Sequence, residues 1–154
     1  MLNDKLNVHE LTVERCDKET DELIQNASSS FLEQPLSYLK SHQTEYIFIN
    51  SDSLEEVGID GLSLELDDVF GNYDAMFGLK LQKKYRKQVE GFFDNTLQGE
   101  KAYDLLFNGE DGLWDVNVSI NDVPSYSEAM TIGTAVEALY ELLSKLHQEL
   151  NKEN

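Results

Sequence analysis

Asp115, Asn117, Ser119 and Asn121 stand two apart in the segment WDVNVSIN, with Val116, Val118 and Ile120 between them. On a strand, side chains two apart share a face at roughly 7 Å spacing, so this set forms a polar row above an apolar underside. Such a row suits contacts to a partner, and an ordinary solvated strand face is its plain alternative. The string Asp115-x-Asn117-x-Ser119 also touches the opening of a calcium-loop pattern. It lacks the glycine at the sixth position and the glutamate at the twelfth, and valines fill the intervening places. No metal or other cofactor is expected.

Other groups that could do chemistry are scattered. Adjacent acids occur at Glu55-Glu56, Asp67-Asp68 and Glu110-Asp111, but with 30 Asp and Glu such pairs arise by chance and solvated charge is their default. A general acid/base pair has little support among them. His9, His42 and His147 show no ligand spacing. No serine lies in a Gly-x-Ser-x-Gly elbow, and the glycines form neither a phosphate-binding loop nor a dinucleotide fingerprint. The expectation is a protein without catalytic activity. The single cysteine, Cys16, permits no disulfide within one chain and reads as a small buried hydrophobe.

The elements that must hold these residues follow from periodicity. Ile132, Val136, Leu139, Leu143, Leu146 and Leu150 step by threes and fours, which predicts a helix over 127–150, with Ser125 and Glu128 as a capping box. Residues 113–121 alternate strictly and predict a strand with one face on a core. With 102–107 and the turn Asn108-Gly109-Glu110-Asp111-Gly112, they predict a hairpin. EYIFIN at 45–50 reads as a strand, Leu62, Leu64 and Leu66 suggest another, and 81–97 suggests a helix that Gly91 weakens. Leu2, Leu6, His9, Val13, Cys16, Leu23, Ala27 and Phe31 form a weaker stripe that predicts a long helix over 3–29, His9 partly buried within it. Pro35 opens a short helix to His42 with Leu36 and Leu39 inward. The expected fold is a single α+β domain over 1–154, an antiparallel sheet (hairpin near 102–121) packed against long N- and C-terminal helices.

Charge narrows the function. The chain carries 30 acidic and 12 basic residues, a formal net of −18 on 154 residues. Lys80, Lys83, Lys84, Arg86 and Lys87 gather 5 of the 12 cations in one island, leaving 7 basic against 30 acidic residues, a net of −23, elsewhere. Such a surface repels nucleic acid and anionic membranes and attracts basic proteins. For the island, pairing with acidic loops or a solvated helix face is the expectation. The N-terminal segment has no apolar core of the signal-peptide kind, and no 18-residue apolar run exists, so a cytoplasmic location is expected.

The segment GLWDVNVSIND (112–122), followed by TIGTAVEALYELLSKLHQEL, together with the overall charge, resembles the small acidic immunity proteins of Gram-positive bacteria encoded beside LXG-domain toxins. The resemblance covers about the last 45 residues and implies a cytoplasmic α+β protein that neutralises a toxin domain, which can be a nuclease. The expected partner is therefore a basic protein, met by Glu110, Asp111, Asp115, Asn117 and Ser119 around the hairpin. The alternative is a regulatory or scaffold subunit, assembled through its terminal helices as a homodimer or heteromer.

Overall fold

Alternating strands carry most of the architecture. A computed structural model describes residues 6–99 and 103–152, and within them seven strands form one sheet. In chain order the elements are β1 (Thr12–Asp17), β2 (Leu23–Ala27), α1 (Tyr38–Ser41), β3 (Glu45–Asn50), α2 (Asp52–Glu56) and β4 (Ile59–Leu66). Then come β5 (Tyr73–Leu79), α3 (Arg86–Thr96), β6 (Tyr103–Asn108), β7 (Leu113–Ser119) and α4 (Ile132–Lys152). The sheet order is β2-β1-β3-β4-β5-β7-β6 with every pairing antiparallel. The fold is α+β, and the hairpin read from the sequence is present as β6–β7, with Ala102 outside the described residues.

One face of the sheet holds the core. Register aligns Ile49 with Leu62, Leu62 with Phe77, and Phe77 with Val116, a continuous apolar row. A second row runs Ile47, Leu64, Ala75, Val118. Helix α4 lies on these rows with Ile132, Val136, Leu139, Leu143 and Leu146 fully buried. Each such side chain contributes about 1.5–3 kcal/mol relative to exposure. The stripe proposed for assembly is thus consumed inside the chain.

The remaining helices pack on the same face. Tyr103, on the core side of β6, donates from its hydroxyl to Asp94 Oδ1 of α3 at 2.7 Å, and its ring sits 5.1 Å from Phe93. His147 of α4 bonds the Val57 carbonyl after α2 through Nε2 at 2.7 Å. At the β1–β3 end, Glu45 is buried with its carboxylate held by Arg15 (2.9 and 2.7 Å) and by the Tyr38 hydroxyl (2.9 Å). The Arg15 hydrogen bonds hold the Glu45 carboxyl below the usual range.

The helix expected over 3–29 does not form among the described residues, and 3–5 lie outside them. Val13 and Cys16 are both buried, three apart as on a helix, yet they point to opposite faces of β1. The chain reverses after β1 because Asp17 Oδ1 accepts the amides of Glu19 and Thr20, and Asp21 adopts φ +62°. His9 lies in a short 3₁₀ turn and is exposed rather than partly buried. Leu36 and Leu39 are buried as expected, although the helix there is a single turn.

Helix α4 begins at Ile132 rather than near Ser127. Residues 130–132 are held extended against 34–36: the Leu36 amide bonds the Met130 carbonyl, the Ile132 amide bonds the Gln34 carbonyl, and Pro35 bridges Thr131. Thr131 Oγ1 then accepts the Thr134 amide at 3.1 Å, so Thr131 caps the helix and not Ser125. Gly133 suits the close packing here, since a Cβ there would lie 3.2 Å from the Leu32 carbonyl oxygen.

Candidate functional site

The second face of the sheet carries no helix among the described residues, and the alternation that fills the core sets its composition. Glu14, Asp60, Glu65, Asp74, Asp104 and Asp115 project on this side, and no strand Lys or Arg does. Register strings one row across six strands: Glu14, Phe48, Ser63, Met76, Asn117, Asp104. Phe48 and Met76 make its middle apolar and its ends acidic. A bulge at Gly61, with φ +67°, leaves room for the Phe48 ring, which a Cβ there would approach to 3.1 Å. Among the described residues only Cys16 and Ser119 are buried on this side.

A cation is tied down over this face. Lys18, from the turn after β1, donates to the Leu66 carbonyl at 2.7 Å and to Asp68 at 3.3 Å, and lies 3.9 Å from Glu65. It neutralises one corner. The remainder is left anionic.

At the end of the face where β4 turns into β5, the surface sinks into a hollow of about 500 Å³ lined by Asp67, Phe70, Asn72, Asp74, Tyr103, Asp104, Asn117, Ser119, Asn121 and Asp122. Among the described residues no Lys, Arg or His lines it. The Asn72 amide donates to Asp74 Oδ1 (2.7 Å) and to Ser119 Oγ (3.2 Å), and Asn121 Oδ1 accepts the Tyr73 amide (2.9 Å). These bonds fix the wall. Burial, then the Asp67 charge, push the Asp74 carboxyl up to about 6, against the Asn72 hydrogen bond.

The folded chain binds the Asp74 proton more tightly than the unfolded chain, so this group lowers stability as pH rises from the ordinary carboxylate range through about 6. Asp74→Asn keeps the shape and removes the charge. It is expected to raise stability by about 1 kcal/mol at about pH 7.5 and to leave it unchanged near pH 4, the cost being reduced because the carboxyl is partly in water. Thermal melts at the two pH values check this, and an equal difference at both would contradict it.

The expected partner residues divide between two places. Asn117 and Ser119 line the hollow, and exposed Asp115 stands one strand position further along the same face, opposite Gly78 and Leu106. Glu110 and Asp111 lie in the β6–β7 turn, where Asn108 Nδ2 donates to Asp111 Oδ2 at 3.1 Å. Strand β7 spans about 20 Å, so that turn is remote from the hollow. Sequence reasoning missed Asp60, Asp74, Asp104 and Glu14, which become neighbours only through pairing of β1, β4, β5 and β6.

The histidines and the basic island are elsewhere. His42 stacks on Tyr38 with ring centres 3.8 Å apart, and His147 is engaged with Val57. Among the described residues no group of three or more His, Cys, Asp or Glu could hold a metal ion. Burial pushes the Cys16 thiol up, which disfavours the reactive thiolate. In the island, Arg86 lies over the Trp114 ring (4.9 Å) and Lys83 over Phe107 (5.7 Å), and Arg86 is 3.9 Å from Glu90. The expected pairing with acidic loops thus reduces, among the described residues, to that one contact within α3. A hollow of about 520 Å³ between α3 and the end of α4 contains Lys87 and Glu149 without a convergent set. No described helix is long and apolar enough to cross a membrane.

No protein-family model, curated protein or solved structure matches the chain.

Proposed function

We propose that the chain is a non-catalytic acidic binding module of the immunity or antitoxin kind, which recognises a basic protein in the cytoplasm and occludes that partner's working surface. The observation that carries this reading is the uncovered sheet face, with its strand carboxylates, no strand cation and an apolar centre at Phe48 and Met76. Like charge gathered on one rigid surface makes the field directional, steering a basic partner toward it and accelerating encounter. The apolar centre then supplies the water-excluded contact that steering cannot.

The face refines where contact belongs. Asp115, Asn117 and Ser119 lie on it, whereas Glu110 and Asp111 add to the field from the hairpin turn. Asp115→Lys is therefore expected to weaken binding more than Asp111→Lys. The proposal expects a neighbouring reading frame that encodes a basic C-terminal domain, and the experiment is calorimetric titration with that domain. Affinity is expected to fall at least about tenfold between about 50 and about 300 mM NaCl, as screening shortens the reach of the field. Absence of binding, or binding indifferent to salt, would contradict the proposal.

The regulatory-subunit reading has less support. It relied on terminal helices with free apolar stripes, but β1 and β2 occupy the N-terminal region and the α4 stripe is buried.

A further inference from the structure

Turn tips are usually polar, because Gly, Asn, Asp and Ser suit both their backbone angles and their contact with water. The turn between β4 and β5 reads Asp67-Asp68-Val69-Phe70-Gly71-Asn72. Val69 is 81% exposed and Phe70 is 83% exposed, the most exposed large hydrophobic side chains among the described residues. The tip is nonetheless held firmly. Asp67 Oδ1 accepts the Val69 amide at 2.8 Å and the Phe70 amide at 3.2 Å. The Gly71 amide bonds the Asp67 carbonyl, and the Asp67 amide bonds the Asn72 carbonyl, both at 2.8 Å. Lys18 braces the base of the turn through Leu66 and Asp68. A large aromatic side chain is thus presented to water on a preorganised support, which lowers the ordering cost of any contact it makes.

Its surroundings indicate what it meets. Phe70 borders the hollow that holds Asp67, Asp74, Asp104 and Asp122, and Asp68 adjoins it in the turn. An apolar projection ringed by carboxylates complements an apolar recess ringed by Lys and Arg. The same ring opposes other occupants, since a second copy would bring carboxylates against carboxylates and an anionic bilayer would be repelled.

We infer that the Val69–Phe70 tip is the anchor of the interface, seating in an apolar recess on the cationic surface of the partner protein while the sheet face beside it makes the charged contacts. This rests on the proposed binding of a basic protein. It divides the labour: the carboxylates govern approach, and the tip governs residence. Anchors of this type dominate interface energetics, whereas the polar surround contributes less per residue.

The test is stopped-flow and calorimetric binding of the purified full chain to the basic domain that the proposed function expects in the neighbouring reading frame. It compares wild type, Phe70→Ala, Val69→Ser and Phe70→Trp. Phe70→Ala is expected to lose about 30-fold or more in affinity, nearly all of it as faster dissociation, with melting temperature unchanged. Phe70→Trp is expected to retain binding and to shift its emission to the blue on complex formation, against the buried Trp114 as a constant background. If wild type binds and Phe70→Ala binds within about twofold of it, the anchor is overturned while the acidic binding reading stands. If wild type does not bind, both fall. A Phe70-dependent homodimer in sedimentation would also overturn the inference, because the tip would then be covered by a second copy.

Discussion

Reversing Asp60, Asp104 and Asp115 to Lys together is expected to slow association with the basic partner by about 10²-fold or more at low salt. All three side chains are exposed, and each projects from the uncovered face. Their replacement moves the formal net charge from −18 to −12. That global change alone is modest, and its location makes it large, since the three sites span β4, β7 and β6 where a docking partner would face them directly. The rate of the triple variant is also expected to depend less on salt than that of wild type. Stability should change little, because exposed charges without partners seldom contribute more than about 0.5 kcal/mol. Reversing Glu137, Glu141 and Glu149 on the outer side of α4 makes the same net change on the opposite layer and serves as the control. Equal slowing by both triple variants would show that total charge, not the sheet face, governs encounter.

Trp114→Ala is expected to cost about 3–5 kcal/mol of folding stability. Trp114 is fully buried and links three elements. Its indole N–H donates to the Leu81 carbonyl at 3.0 Å, its ring meets Phe107 edge-on at 5.1 Å, and the Arg86 guanidinium covers it at 4.9 Å. Truncation leaves a cavity at the β5–β7 seam and a buried carbonyl without its donor. For a chain of this size the loss corresponds to a fall of about 10–15 °C in melting temperature. Trp114→Phe keeps most of the volume but not the hydrogen bond, and should cost roughly half as much. Denaturant unfolding followed by circular dichroism measures both. A cost for Trp114→Ala below about 1 kcal/mol would mean that the hairpin is not integrated with the core as described.

The strands most clearly marked in the sequence are those whose two faces differ most. In β7, Trp114, Val116 and Val118 alternate with Asp115, Asn117 and Ser119, whereas β3 was legible through composition, Tyr46, Ile47, Phe48 and Ile49 all being aromatic or β-branched. Helix α4 was legible because Leu139, Leu143 and Leu146 keep one stripe with charges opposite. Strand β5 was not. It alternates Tyr73, Ala75, Phe77 and Leu79 with Asp74, Met76 and Gly78, and the small and apolar residues on its outer side blur the pattern. The N-terminal strands mimic a helix in sequence because the buried positions Val13 and Cys16 imitate helical spacing, and a bulge beside Cys16 disturbs the alternation further.

The site was legible only in its β7 part. Asp115, Asn117 and Ser119 follow from one strand's own period. Their neighbours Asp60, Asp74 and Asp104 come from other strands, and their convergence depends on sheet order and on which face the helices cover. Neither quantity is local in sequence. Glu110 and Asp111 were drawn in by proximity along the chain, but the length of β7 separates them from the hollow.

Backbone amide mapping by nuclear magnetic resonance tests the central claim most directly, with the isotope-labelled chain titrated by the basic domain that the proposed function expects beside it. Shifts and line broadening are expected along Glu14, Phe48, Ser63, Met76, Asn117 and Asp104 and at Val69 and Phe70, with α4 and the basic island at 80–87 unaffected. A perturbed surface confined to α3, α4 or that island, with the sheet face silent, would contradict the account.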